Sequence, residues 1–110
     1  MDAVTILVSA DPRVSAKANE ALREGLGFAA SQLSVQFILT GEAVRLLSDD
    51  PLDFVDGEAV EKNLGFYKKW KTKFYVAGGI APGGSDFSVE SVDAAAVASI
   101  LSGAERFVRF

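Results

Sequence analysis

Three short apolar runs, each ended by turn-forming residues, constrain the fold of this 110-residue chain most strongly. They cover residues 4–8, 35–39 and 74–77 and are rich in β-branched and aromatic side chains, which is typical of buried strands. Helix-length segments with apolar residues at intervals of three and four separate the runs. Strands that alternate with helices indicate right-handed crossovers. We therefore expect one three-layer α/β domain over residues 1–110, with a mostly parallel sheet flanked by helices on both faces.

The other elements follow from apolar spacing and turn residues. They are a helix over 14–33, a short helix over 42–47, a helix over 58–70 interrupted at Gly65, an extended segment over 87–90, a helix over 92–101 and a strand over 105–110. Ser91 is the expected N-cap of the last helix. Gly25 and Gly27 lower helix propensity, so we interpret them as points where the first helix approaches the sheet or another subunit closely.

Two missing residue types exclude most enzyme classes. The chain has no cysteine, so disulfides, thiolate catalysis and zinc-thiolate sites are excluded. It has no histidine, so the usual general base and the commonest transition-metal ligand are also missing. We expect no catalytic residue of the usual kinds, no metal and no cofactor.

Charge and hydropathy limit where in the cell the protein is expected and which kinds of partner it is expected to bind. The net charge of −4 is unlike the basic footprint of a dedicated nucleic-acid binder. No apolar run approaches the roughly 20 residues that span a bilayer. The N-terminal segment has an acidic residue, Asp2, where a signal peptide has positive charge. We expect a cytoplasmic protein that contacts neither membrane nor nucleic acid directly.

Polar and small residues that follow the predicted strands form a candidate ligand pocket. They are Ser9, Asp11, Thr40, Glu42, Ala77, Gly78 and Gly79. In α/β proteins, ligands bind just outside the carboxyl ends of the strands, which is where all seven are expected. Asp11 and Glu42 are candidates for acid–base work if they meet, although residues of these types more commonly form turns and caps.

Two further motifs are weaker. Residues 78–85 read GGIAPGGS, one residue away from a phosphate-binding loop, but they lack the lysine of that motif, so a surface loop is the better interpretation. The acidic run over residues 49–58 departs from the spacing of a calcium-binding loop. Solvated turns and helix capping explain this run better than a cation site.

A cluster of cations and aromatics follows within residues 67–75. Lys68, Lys69, Trp70 and Lys71 are candidates for docking an acidic protein partner. Such interleaving also occurs in proteins that bind single-stranded nucleic acid, but the acidic chain disfavours that. The simplest alternative is that lysine stems cover the end of the helix while the aromatic rings pack inward.

The motifs ILVSADP, EALREGLGFAAS, VQFILTGEAVRLL, FYVAGG and ERFVRF together resemble the DsrE/DsrF-like proteins of sulfur relay, most closely the TusC/DsrF branch. The resemblance implies a small α/β domain that forms trimers or hexamers with copies of itself or with related chains. It also implies a persulfide-accepting cysteine at the end of the third strand, in a relay that serves tRNA thiolation or sulfur oxidation. That position falls on Ala77 or Gly78, and persulfide chemistry needs a thiolate that this chain lacks.

Three functions follow, in decreasing order of preference. The first is a non-catalytic subunit that shapes a pocket or docking surface for a cysteine-bearing relative. The second is a stand-alone homo-oligomer that binds a small ligand, and the third is an enzyme that uses Asp11 or Glu42. The eight phenylalanines are many for so small a core, which favours oligomerisation, with subunit contacts expected at Phe28, Phe54, Phe66 and Phe107.

Overall fold

The computed structural model describes residues 3–78 and 87–110, and within them five strands form one sheet. In chain order the strands are β1 (Ala3–Val8), β2 (Ser34–Thr40), β3 (Lys73–Ala77), β4 (Ser88–Val92) and β5 (Arg106–Arg109). Their spatial order is β4-β3-β2-β1-β5, and each neighbouring pair is parallel. The expected α/β fold is confirmed.

Helices connect the strands. They are α1 (Lys17–Ala30), two 3₁₀ helices (Gly41–Leu47 and Pro51–Asp53), α2 (Gly57–Trp70) and α3 (Ala94–Ser102). α1 begins later than residue 14 because the preceding residues form turns, in which the amides of Val14 and Ser15 donate to the Asp11 carbonyl. Gly65 is exposed and does not interrupt α2, so the predicted break is wrong.

The main core lies between the sheet and the pair α1 and α2. Phe37 and Phe74, from neighbouring strands, stack with their ring centroids 4.9 Å apart. The buried Tyr67 of α2 meets the Phe37 ring edge-on at 5.0 Å and donates its hydroxyl hydrogen to the Leu22 carbonyl of α1. A buried tyrosine that keeps a hydrogen-bond partner contributes apolar area without an unsatisfied polar group.

Gly25 is the residue at which α1 lies closest to this core. A β-carbon added there would meet the Tyr67 hydroxyl, and would lie 3.0 Å from Phe37 Cζ and 3.2 Å from Ile6 Cδ1. The interpretation of Gly25 as a point of close approach is confirmed. A β-carbon at Gly27 would meet no atom within 4 Å among the described residues, so Gly27 does not mark a close approach to the sheet, and approach of another subunit there stays a prediction.

The start of α3 differs from the prediction. Ser91 lies inside β4, paired with Val76, and Val92 pairs with Ala77. Asp93 is the N-cap, and its Oδ1 accepts a hydrogen bond from the amide of Ala96 at 2.8 Å. Pairing with β3 keeps these residues extended, so β4 uses two residues that local propensity assigns to the helix.

α3 covers the other face of the sheet. The chain moves from β1 to β4 in one direction and returns across the whole sheet to β5, so a right-handed connection places α3 opposite α1 and α2. None of its residues is fully buried, and its half-buried positions recur at helical spacing at Ala96, Val97, Ile100 and Leu101. No helix in the described part of the chain is long and apolar enough to cross a bilayer.

Candidate functional site

The carboxyl ends of β1, β2 and β3 lie side by side, and we call this end of the sheet the carboxyl edge. Val8 pairs with Leu39, and Thr40 pairs with Ala77. The Thr40 hydroxyl lies 3.1 Å from that of Ser9 and 3.5 Å from the Val8 carbonyl. Parallel register therefore brings Ser9, Thr40 and Ala77 together, although they are far apart in the chain.

Two glycines turn the chain away from this edge. Gly41 follows β2 with a φ of 55°, and Gly78 follows β3 with a φ of 75°. Residues that carry a side chain rarely adopt a backbone φ in this range, which explains why both positions are glycine. A β-carbon at Gly78 would meet no described atom within 4 Å, so backbone angle rather than crowding restricts this residue.

Asp11 and Glu42 lie at the same edge but are joined by arginine. Arg13 lies 2.8 Å from Asp11 Oδ2 and 3.3 Å from Glu42 Oε2. Arg45 pairs with Glu42 and lies 3.0 Å from Asp49 Oδ2. Three carboxylates and two guanidinium groups thus form one chain of contacts beside the Ser9–Thr40 hydroxyl pair.

This network determines what Asp11 can do. Its carboxylate accepts hydrogen bonds from the Arg13 side chain, the largest effect, and from the Arg13 amide, which together lower the pKa of Asp11 to about 2. Hydrogen bonds that favour the charged form keep a carboxylate ionised. A general acid or base works best with a pKa near the operating pH, so Asp11 is poorly suited to either role at neutral pH.

Arg13 and Arg45 were missed as site residues on the sequence alone. Their spacing carried a signal for local pairs, because Arg45 follows Glu42 by three residues and precedes Asp49 by four. The Arg13–Glu42 contact spans 29 positions and depends on the register of β1 and β2. Gly79 and most of the phosphate-loop-like stretch, residues 79–86, lie outside the described residues.

The acidic run over residues 49–58 forms no cluster that could hold a metal. Among the described residues, no group of three or more carboxylates has the geometry of a metal site. Asp50 instead caps the second 3₁₀ helix, where its Oδ1 accepts from the amide of Leu52 at 3.0 Å. Capping is the role that the sequence favoured.

The docking candidates lie at the opposite end of the sheet, where α2 ends and β3 begins. Trp70 exposes 50% of its surface, while Phe74 is fully buried, so only part of the predicted aromatic packing occurs. Lys68 Nζ lies 5.0 Å from the centre of the Phe87 ring. The candidate pocket and the candidate docking surface are therefore two separate regions of the molecule.

A cleft lies beside Trp70 at this end, and we call it the amino-edge cleft. Its volume is about 350 Å³. It lies between the ends of α1 and α2 and the starts of β2 and β3. The lining residues are Ala29, Leu33, Ser34, Val35, Gln36, Tyr67, Trp70, Lys71, Thr72 and Lys73. No residue of the predicted pocket contributes to it.

Comparison with known proteins identifies the fold. No protein-family model matches the chain, and no curated protein matches its sequence. Among solved structures, the ychN protein from E. coli superposes with a TM-score of 0.80 at 17% identity, over 100% of both chains. At this identity, the likeness shows the fold alone. This chain therefore has, over its full length, the α/β fold of the ychN protein.

Proposed function

We propose that this chain is a non-catalytic DsrE/DsrF-like subunit of an oligomeric assembly of the sulfur-relay type, to which it contributes a pocket or a docking surface. The observation that carries the proposal is the end of β3. Ala77 and Gly78 stand where the family resemblance implies a sulfur-accepting cysteine, and the whole sequence contains no thiol. Persulfide transfer requires a thiolate, so the reactive cysteine belongs to another chain.

The chemistry of the carboxyl edge supports a role in binding. The Ser9 and Thr40 hydroxyls lie beside the Ala77 corner. At the same edge, the Arg13 side chain pairs with Asp11 and Glu42 and is 44% exposed. These groups donate hydrogen bonds to an anionic or polar group without reacting with it. The edge is thus suited to hold a partner's reactive group or a small ligand in place.

The surface of α3 supports assembly. Its sequence, AAAVASILS, has no charged side chain, and none of its residues is fully buried in this chain. Phe66 and Phe107 are also exposed, at 39% and 43%, whereas Phe54 is buried in the core and cannot form the expected subunit contact. Exposed apolar surface of this kind marks interaction sites. We infer a trimer or hexamer with copies of this chain or with related chains.

Native mass spectrometry of the tagged protein, isolated from its own cells, tests this assignment. We expect a complex of defined stoichiometry that contains a cysteine-bearing chain of the same fold. A control purification under denaturing conditions identifies proteins that are carried over without being bound to the tagged chain. A stable homo-oligomer with no related partner would contradict the subunit proposal and favour the alternative below.

Charge placed on α3 tests the assembly surface. Ala98 is exposed, so Ala98→Glu should leave the fold of one chain within about 0.5 kcal/mol of the parent. It should shift the assembly towards smaller species, because burying an unpaired charge at an interface is costly. Light scattering measures the mass. Ala59→Glu, on an exposed position of α2, is the matched control, and equal behaviour of the two variants would contradict the assignment.

The alternative is a homo-oligomeric protein that binds a small ligand at the carboxyl edge. The Ser9–Thr40 hydroxyl pair favours it, because these two groups can orient a ligand directly. A ligand retained through native purification should raise the melting temperature. Thr40→Val should reduce that shift while preserving shape, and Ala77→Leu should abolish it by filling the corner. An enzyme based on Asp11 or Glu42 ranks third because both carboxylates are paired with arginine.

We also propose that Lys68, Lys69, Trp70 and Lys71 dock an acidic partner, and that the protein acts in the cytoplasm. The docking proposal is supported by exposure and by charge. All four residues are exposed, and Lys68 and Lys69 occupy the last turn of α2. Crosslinking within the native complex tests it, since the lysine crosslinks should reach acidic segments of the partner.

A further inference from the structure

The amino-edge cleft is lined by both apolar and polar groups, and polar groups make up the larger part of its surface. Ala29, Leu33 and Val35 belong to the apolar part, and Ser34 and Thr72 carry hydroxyls. Small-molecule pockets have volumes of roughly 300–1,000 Å³. At about 350 Å³, this cleft is at the small end of that range.

Trp70 provides a flat, positioned surface at the cleft. Its indole is held by Phe66, with ring centroids 5.7 Å apart, and by Tyr67, edge-on at 6.0 Å. Tyr67 is itself fixed by burial and by its hydrogen bond to the Leu22 carbonyl. Half of the Trp70 surface is nevertheless exposed, so a second aromatic ring can stack on it.

The charge around Trp70 is strongly positive. Residues 65–73 include four lysines and no carboxylate, in a chain whose net charge is −4. Lys68 and Lys69 offset the negative end of the α2 dipole, as lysines in a last turn commonly do. Lys71 and Lys73 lie beyond the helix, so the helix dipole does not account for them. The Lys73 ammonium lies 3.4 Å from Glu90 and 5.7 Å from the centre of the Tyr75 ring, neither of which lines the cleft, so Lys71 is the cation at the cleft.

Lys71 occupies a position where lysine is unusual. It ends α2 with a φ of 56°, a left-handed conformation that glycine and asparagine adopt at lower cost. Within the described residues, Lys71 has no carboxylate within ion-pair distance, and Lys73 has only the exposed Glu90 at 3.4 Å. The backbone thus accepts some strain while a cation without an ion pair stays at the cleft.

We propose that the amino-edge cleft binds a small anion that carries a flat aromatic ring. The ring stacks on Trp70, and the anionic group faces Lys71. The inference concerns a different end of the sheet from the pocket at the carboxyl edge and stands without the sulfur-relay proposal. It competes with the docking proposal for Trp70 and Lys71, and the experiment below decides between the two. The cleft excludes cations by charge, and its size suits a ligand no larger than a mononucleotide.

Trp70 is the only tryptophan in the sequence, so tryptophan fluorescence reports on this cleft alone. The ligands to titrate are AMP and phenyl phosphate, each of which carries both a ring and an anionic group. Adenosine, which has the ring without the charge, and inorganic phosphate, which has the charge without the ring, are the controls. We expect saturable quenching by at least one of the two ring-bearing anions, with a Kd below about 1 mM, and at least about tenfold weaker binding of each separate half.

Variants assign the two contacts. Lys71→Asn removes the charge and tolerates the left-handed backbone, so it should weaken binding of the anion about tenfold and leave adenosine unchanged. Lys62→Asn, on an exposed part of α2 outside the cleft, is the control and should have no effect. Trp70→Ala should make the ring-bearing anion bind no more tightly than inorganic phosphate, and calorimetry measures both affinities.

Three results would overturn the inference. The first is that neither ring-bearing anion quenches saturably. The second is that Lys71→Asn and Lys62→Asn bind the anion equally well. The third is that an acidic peptide without aromatic residues, such as tetraglutamate, perturbs Trp70 at lower concentration than AMP does, which would assign the cleft to a protein partner instead.

Discussion

The two ends of the sheet carry similar numbers of charged groups but use them differently. At the carboxyl edge, Asp11, Glu42 and Asp49 are paired with Arg13 and Arg45, and the charges largely neutralise one another. At the amino end, the lysines outnumber the nearby carboxylates, and Lys71 has no ion pair within the described residues. Charges that are already paired stabilise local geometry, while unpaired charges are available to a ligand. The comparison explains why we assign a pocket of hydroxyls and paired charges to one end and an anion site to the other.

The largest expected effect comes from crowding the helix packing beneath the amino-edge cleft. Gly25→Ala would push against the Tyr67 hydroxyl and displace the support of Trp70, at a cost of about 1–3 kcal/mol in the free energy of unfolding. Chemical denaturation measures this cost, and binding of AMP should weaken. Gly27→Ala, with open space around it, is the control and should stabilise by about 0.5–1 kcal/mol.

A double variant shows whether the Tyr67 hydroxyl causes the crowding. In a Tyr67→Phe background, Gly25→Ala should cost less than in the parent, because the atom nearest to the new methyl group is gone. Strict additivity of the two substitutions would contradict the proposed contact. The Ser9–Thr40 pair at the carboxyl edge should be unaffected in each of these variants, as chemical shifts of the two residues will show.

The next effect concerns acid titration at the carboxyl edge. The folded-state pKa of Asp11 is about 2, below its unfolded-state pKa of about 3.9. The ionised Asp11 therefore stabilises the fold fully when the pH is above the unfolded-state pKa, and this stabilisation is lost as the pH falls through the folded-state pKa. Arg13→Gln should return the pKa of Asp11 towards about 3.9, measured by NMR titration. Trp70 fluorescence should not change, since the two ends are separate, and a change would show that they are coupled.

The smallest effect on stability is expected at the Lys73–Glu90 pair. Both side chains are substantially exposed, so Glu90→Gln should change the free energy of unfolding by less than about 1 kcal/mol. Binding of AMP in the amino-edge cleft should change by less than about twofold, because the Lys73 ammonium lies beside Glu90 and the Tyr75 ring rather than at the cleft. Fluorescence titration of the variant measures this binding, and a change of about tenfold would show that Lys73 reaches the anion.

Local patterns predicted the elements of the fold well. The three apolar runs became β1, β2 and β3, and the turn at Asp11 formed as its side chain suggests, with Oδ1 accepting from the amide of Arg13. The prediction failed where long-range pairing competes with local propensity. Ser91 and Val92 joined β4 because β3 offers them a parallel neighbour, and the helix start moved to Asp93.

The candidate site was predicted in outline only. The expectation that Ser9, Thr40 and Ala77 share one edge follows from strand order and the parallel sheet, and the structure shows this placement. Their role as a ligand pocket stays a prediction. The arginines that hold Asp11 and Glu42 were missed, because a contact between residues 13 and 42 requires the spatial register of two strands.

By itself, the sequence determined the α/β class, the alternation of strands and helices along the chain and the absence of a thiol at the end of β3, because apolar periodicity and residue identity are local properties. The spatial order of the strands came from the tertiary structure. Only the tertiary structure decided which charges are paired and where a cleft remains. The amino-edge cleft lies between segments that start β2 and β3, almost forty residues apart in the chain. Parallel pairing of β2 with β3 brings those segments together, and such pairing depends on a neighbour that no single stretch of sequence contains.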